Sequence, residues 1–221
     1  MLNSLTVDVE EWFHICGVPQ LQPETWSRLP SRVEQTTRML LDELDTAGIK
    51  GTFFIVGWIA ERYPGLVGLI LTAGHDVGSH SFWHRRVYDL DPVSFAEDLD
   101  ASVTALGAAG TPAITAFRAP EWSINHRSEW ALEVLVQRGF KADASMAPLR
   151  IVGDVSYPRR PHVRSTALGP IVEVPPLVAD RFGQVMPMGW GWGLRMSAPA
   201  RVLKEIERAN KMGRPAVLTI H

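Results

Sequence analysis

The chain has a single cysteine, Cys16. An intramolecular disulfide framework is therefore excluded, and a reducing compartment fits. A cysteine-based zinc knuckle is excluded as well, so any metal must be held by His, Asp or Glu. No stretch reaches the roughly 18 apolar residues that a membrane span requires. No basic region precedes a long apolar run at the N-terminus, so no secretory signal is read there. Charge of one sign is lacking too. Lys plus Arg total 22 against 24 Asp plus Glu, a formal net charge of -2. Without a strong global field, nonspecific nucleic-acid binding is not expected. No internal repeat, low-complexity tract or linker interrupts the sequence. These absences lead us to expect a soluble cytoplasmic protein, with the inner face of the membrane as an alternative location.

What is present is an ordinary globular composition, 46% hydrophobic and 21% charged over 221 residues. That length suits one domain over residues 1–221 with a sizeable core. Apolar periodicity alternates between short and long segments. Leu5–Val9, Thr52–Val56, Asp76–Ser79, Ile114–Phe117, Ile171–Val174 and Ala216–Ile220 read as strands. Helical spacing appears at Val33–Leu44, opened by a capping-box pattern of Ser31 and Glu34, and again from about Ile59 to Leu71. A third helix starts at Asp91-Pro92 with an N-cap and a proline at its first position. Further helices are read around Trp130–Leu135 and Pro199–Ile206. The alternation argues for a parallel sheet covered by helices, either barrel or doubly wound. Residues Pro148–Gly193, rich in Pro, Gly and Trp, read as long loops and short strands.

The chemistry collects at strand ends, where reactive groups sit in parallel α/β folds. Asp8 and Glu10 follow the first strand. His80 and His84 follow Asp76–Ser79, Arg118 follows Ile114–Phe117, Asp143 follows a short Phe140–Ala142 segment, and His221 follows the last strand. His80 and His84 are four apart, so a helical turn would aim both imidazoles at one ion. A carboxylate from Asp8-Val9-Glu10 would complete a two-His, one-carboxylate set with an open position for water. Asp8 and Glu10 share one side of a strand, so one could ligate while the other handles a proton. Each residue also has a plainer reading. Asp8 could cap a helix, Arg118 could form a surface ion pair, and Asp143-Ala144-Ser145 could be a turn. His14 and His75 read as structural or solvent-facing, and Cys16 as a packed thiol.

Taken together, Thr6-Val7-Asp8-Val9-Glu10-Glu11-Trp12-Phe13-His14, Gly78-Ser79-His80-Ser81-Phe82-Trp83-His84, Phe117-Arg118-Ala119-Pro120, Asp143-Ala144-Ser145 and Leu218-Thr219-Ile220-His221 resemble the NodB-type polysaccharide deacetylases, carbohydrate esterase family four. Glu173-Val174-Pro175-Pro176 through Gly189-Trp190-Gly191-Trp192-Gly193 resembles the exosortase-associated members of exopolysaccharide clusters. The resemblance implies a distorted (β/α) barrel with about seven parallel strands. It implies that His80, His84 and Glu10 bind a divalent metal, zinc first, with cobalt or nickel as alternatives. It makes Asp8 the general base, steadied by Arg118, and His221 the general acid, oriented by Asp143. The implied reaction is removal of N-acetyl groups from amino sugars of a bacterial exopolysaccharide or its precursor, so the implied partner is an N-acetylated glycan.

The sequence departs from the family pattern at two places. Glu121 and Trp122 follow Arg118-Ala119-Pro120 where an aromatic or serine is usual, which assigns Trp122 to a sugar wall and Glu121 to substrate choice. Thr219 stands where a leucine commonly lines the acetyl pocket, and Leu218 or Ile220 would take its place. Trp190 and Trp192, flanked by glycines, read either as a sugar platform or as a folded loop. Relatives continue past the last histidine, so the resemblance implies a chain truncated at its C-terminus. Other readings are hydrolysis of a different C–N bond (a deformylase of lipid-linked amino sugars or a cyclic ureide hydrolase), a two-His-one-carboxylate iron oxygenase, and a non-catalytic glycan-binding module. The strand–helix alternation opposes the oxygenase jelly roll, and an acid–base pair serves no purpose in simple binding.

Overall fold

A computed structural model describes residues 1–221. Its strands are β1 (Ser4–Val9), β2 (Thr52–Ile55), β3 (Asp76–Ser79), β4 (Ala116–Phe117), β5 (Ala142–Asp143), β6 (His162–Thr166), β7 (Gly169–Glu173), β8 (Val178–Arg181), β9 (Gln184–Pro187) and β10 (Val217–Ile220). Eight of them form one sheet in the order β10-β1-β2-β3-β4-β5-β7-β6. Seven run parallel, and only β6 is antiparallel, paired to β7 as a hairpin. The sheet curls into a half-barrel whose edges, β6 and β10, do not pair with each other. This is the expected α/β barrel with its seven parallel strands, left open.

The order is sequential around the sheet, so each strand delivers the residue that follows it to the same rim. That rim carries Asp8, Glu10, His80, Arg118, Asp143, Glu173 and His221. Fully buried Phe53 and Ile55 on β2 pack with Ile59, Val67 and Ile70 of the covering helices. Burying each such side chain contributes about 1.5–3 kcal/mol. A second cluster around Phe95, Leu99, Phe117 and Leu135 lies under β4 and β5.

Three local expectations change. The helix read over 59–71 is two helices, Gly57–Arg62 and Pro64–Thr72, because Pro64 cannot continue the first and is seated at the start of the second. The strand read over 114–117 shortens to β4. Residues 148–193 are loops and short strands as expected, the strands paired as two hairpins, β6–β7 and β8–β9. The Ser31–Glu34 capping box does not form. Helix Val33–Thr46 starts without a side-chain cap from its own N-cap residue. Its cap is the buried carboxylate of Glu11, which accepts from Ser31 Oγ, from the Arg32 N–H at 3.1 Å and from the Val33 N–H at 3.2 Å. A cap from 22 residues away in sequence is invisible to a local pattern. By contrast, Asp91 caps Pro92–Ala108 as expected, accepting from Val93 and Ser94 while Ser94 accepts from the Asp91 N–H.

Candidate metal centre and active site

Glu10, His80 and His84 are brought together, with their ligand atoms within 4.8 Å of one another. His80 Nδ1 lies 2.7 Å from the Arg118 carbonyl, which fixes that nitrogen as the donor and leaves Nε2 free to ligate. Burial lowers the pKa of His80, so the ring is held neutral, the form a metal needs. His84 Nε2 is 2.7 Å from Glu10 Oε2. Burial works against the charged imidazolium, yet hydrogen bonds to Cys16 and Glu10 prevail and push His84 up to about 10. Burial likewise opposes the Glu10 anion, and the His84 hydrogen bond and charge overcome it, holding Glu10 at about 2. Glu10 and His84 thus meet directly across the candidate site. Two imidazoles and one carboxylate are a donor set that suits a borderline divalent ion, and tetrahedral ligand atoms stand about 3.5 Å apart.

The histidine pair does not sit on a helix. Residues 80–86 form a bent loop, with Ser81 at φ 61° and His84 at φ 51°. The loop is held from outside. Asp98 on the helix Pro92–Ala108 accepts from the N–H groups of Phe82 at 2.7 Å and Trp83 at 3.0 Å. Ser81 Oγ accepts from the His84 N–H at 2.9 Å. Glu121 and Trp122 are also left-handed, at φ 52° and 56°. Four of the five non-glycine residues with positive φ therefore flank this site; the fifth is Phe182 at a hairpin tip. Such conformations cost of order 1–3 kcal/mol each and persist only where surrounding contacts enforce them.

Asp8 lies beside the metal residues and is tied to Arg118, whose Nη1 donates to Asp8 Oδ1 at 2.8 Å. Arg118 is 1% exposed. The same Nη1 donates to Thr6 Oγ1 at 2.8 Å, Nε donates to the Ala144 carbonyl at 3.2 Å, and the guanidinium lies between the rings of Phe54 and Trp122. Thr6 in turn meets its register partner Thr219, Oγ1 to Oγ1 at 2.9 Å. Thr219 is buried in this seam, whereas Ile220 and His221 line a cavity of about 250 Å³ together with Asp8, Glu10 and Leu40.

His221 is exposed at this opening, with its ring against Gly191. Asp143, in contrast, is fully buried. It accepts from Ser145 Oγ and makes no hydrogen bond to His221. Trp122 stacks on Trp190 at 4.8 Å between ring centroids and 21° between planes, so these two form one wall over Arg118. Trp192 is exposed and takes no part in that stack. Glu121 pairs with Arg86 at the rim. His14 and His75 are buried rather than solvent-facing. Each accepts a backbone N–H through Nδ1, from Glu11 and Gly51 respectively, and burial drives the pKa of His14 down to about 3. Cys16 packs on the metal loop, its thiol donating to the His84 carbonyl at 3.0 Å. Sequence reasoning gave no separate role to Glu11, Thr6, Asp98 or Ser145, although three of them lie within the quoted motifs. Each makes a bond to a residue distant along the chain that a local pattern does not show.

A curled parallel sheet carries a two-His, one-carboxylate cluster that could hold a metal ion, and an Arg-held aspartate, on its C-terminal rim, where α/β barrels place their sites. The comparisons place it further. The family described as polysaccharide deacetylase matches residues 25–141, more than half of the chain, and the chain belongs to that family. Residues 144–221 match a family described as a domain of unknown function, DUF3473. The eight-stranded sheet draws strands from both regions. The chain is similar to the peptidoglycan deacetylase-like protein FGM2 of Gibberella zeae, 31% identical over 110 residues, covering 49% of this chain and 32% of that protein. It is similar also to the peptidoglycan-N-acetylglucosamine deacetylase of Bacillus cereus, 28% identical over 98 residues, covering 44% and 36%. The matched stretch thus spans about a third of either relative. Among solved structures, one from Mycobacterium smegmatis assigned to the polysaccharide deacetylases superposes with a TM-score of 0.70 at 21% identity, covering 99% of this chain and 77% of that one. At that identity the likeness is one of fold.

Proposed function

We propose that the protein is a metal-dependent N-deacetylase acting on amino sugars of a bacterial exopolysaccharide or its precursor. The observation that carries this reading is the convergence of Glu10, His80 and His84 with the Arg118-held Asp8 on one rim, open to a cavity bordered by His221. Glu10, His80 and His84 would hold the ion, zinc first, with cobalt or nickel as substitutes. Bound there, a divalent ion would supply Lewis acidity, which makes a water a nucleophile at neutral pH. Asp8 takes a proton from the attacking water, and Arg118 fixes the carboxylate that does so. The new C–O bond forms at the acetamido carbon and the C–N bond breaks. His221, exposed at the cavity, delivers a proton to the departing nitrogen, giving acetate and a free amine. The Trp122–Trp190 wall gives a sugar ring an apolar face, with Trp192 beyond it and the Glu121–Arg86 pair at the rim selecting among substrates.

The fungal and Bacillus relatives are named for peptidoglycan, so the substrate panel includes it beside exopolysaccharide fragments and N-acetylglucosamine oligomers. Acetate release is measured with zinc or cobalt present. Release by the native chain that Asp8→Asn abolishes is the expected result. No release above Asp8→Asn across the panel overturns the reading, and release of formate or ring opening of a cyclic ureide moves it to another C–N hydrolase. No helix of the chain is long and apolar enough to cross a membrane, and we place the activity in the cytoplasm or at the inner membrane face. We take residues 1–221 as one catalytic unit, since β5, β7 and β10 complete the sheet that the first half begins.

A further inference from the structure

Asp143 and Glu173 are register partners at the ends of neighbouring parallel strands β5 and β7. Both are 0% exposed. Each uses one oxygen in a defined bond. Asp143 Oδ1 accepts from Ser145 Oγ, and Glu173 Oε1 accepts from the Met146 N–H at 3.0 Å. The remaining oxygens, Asp143 Oδ2 and Glu173 Oε2, are buried and lack any donor. Two adjacent carboxylates in a dry interior cannot both stay ionised, and two buried acceptors without donors are each destabilising. One proton placed between them removes both penalties.

We propose that Asp143 and Glu173 share a single proton as one buried acid pair, and that Glu173 is thereby a positioning residue for the Arg118–Asp8 arm of the site. Burial raises both groups, and the charge of Asp143 raises Glu173 further, in keeping with a proton retained at neutral pH. The connection to the site is continuous. Ser145 Oγ, which donates to Asp143, accepts from the Ala119 N–H at 2.7 Å. Ala119 follows Arg118, and Arg118 Nε donates to the carbonyl of Ala144, next to Asp143. The pair clamps residues 143–146 from both ends through Ser145 and Met146, and that segment sets where the guanidinium carries Asp8. Its net single negative charge also lies on the same side as the buried Arg118 cation.

The test has two arms. The infrared spectrum of the purified chain at neutral pH carries the C=O stretch of a protonated carboxyl, and the band is lost in Glu173→Gln and in Asp143→Asn. This arm requires no activity, so it stands apart from the deacetylase reading on which the second arm rests. In the second arm, Glu173→Ala and the apolar Glu173→Met lower kcat for acetate release roughly tenfold or more with KM little changed. Glu173→Gln recovers most of that loss, because its oxygen still accepts from Met146 and its amide N–H replaces the shared proton. If the alanine variant does not fold, the Met–Gln comparison and the band remain. Absence of the band in the native chain, its survival in Glu173→Gln, or a Glu173→Met variant as active as Glu173→Gln overturns the proposal.

Discussion

Replacing Glu11 by alanine removes a carboxylate that does no chemistry and caps a helix. The side chain is 3% exposed and accepts two backbone N–H groups, of Arg32 and Val33, and the Ser31 hydroxyl. Losing an N-cap costs about 0.5–2 kcal/mol. The Val33 N–H is buried and would be left without a partner, adding about 1–2 kcal/mol. The sum is about 3 kcal/mol, which for a chain of this size lowers Tm by about 6–12 °C. The control is Glu34→Ala, the residue that the local sequence pattern nominates. Glu34 has a side chain 47% exposed, and its ion pair with Arg38 is 3.8 Å long, so its loss should cost under about 0.5 kcal/mol. Thermal melts followed by circular dichroism, with urea titrations for the free energies, separate the two. A Glu34→Ala variant less stable than Glu11→Ala would refute the cap assignment.

Three further outcomes follow from the site. With metal stripped by a chelator, the Glu10–His84 pair should shape stability against pH. Its Glu10 share is present above the ordinary 4.5 and lost as pH falls toward about 2; its His84 share is present below 6.5 and lost as pH rises toward about 10. Tm of the metal-free chain should therefore fall from pH 6.5 upward, and Glu10→Gln should flatten that slope; an unchanged slope refutes the pairing. Arg118→Lys keeps the charge but cannot reach Asp8, Thr6 and the Ala144 carbonyl together, so kcat for acetate release should drop about 100-fold; near-native turnover would show that the fork is dispensable. A Cβ at Gly191 would stand 2.5 Å from His221 Cε1, so Gly191→Ala should displace the ring and cut kcat with little change in Tm, and unaltered kinetics would place His221 outside the reaction.

The architecture was legible because strands and helices here obey local rules. Leu5–Val9 and Thr52–Val56 are short, β-branched or aromatic and buried, and Asp91-Pro92 carries its whole cap within four residues. The rim positions follow from that alternation, since a residue after a parallel strand has only one edge to occupy. Local rules failed where a distant group overrides them. His80 and His84 suggest a helical turn by spacing, yet Asp98, 14 and 18 residues onward, bends them into a loop with two left-handed residues. The ligand geometry survives a wrong local structure because it is set by the loop's anchors rather than by helical period.

The acids Asp8, Glu10 and Glu11 show why residue type alone under-determines a role. Strand β1 ends at Val9, and beyond it Glu10 turns to His84 while Glu11 turns to the start of the helix Val33–Thr46. That much separates a helix cap from a site pair. What divides Asp8 from Glu10 is the neighbouring charge, a guanidinium fixed by Thr6 and Ala144 for one and an imidazole for the other. Asp143 extends the argument. A motif assigns it to His221, but its closest titratable partner is the register neighbour Glu173, on a strand that no short motif joins to it. Strand order, which brings β7 beside β5 although β6 intervenes in sequence, makes that pair. A carboxyl's role in this fold is therefore decided by which strand lies beside it, and the buried charge balance across β4, β5 and β7 links the Asp143–Glu173 pair to the Arg118 that holds Asp8.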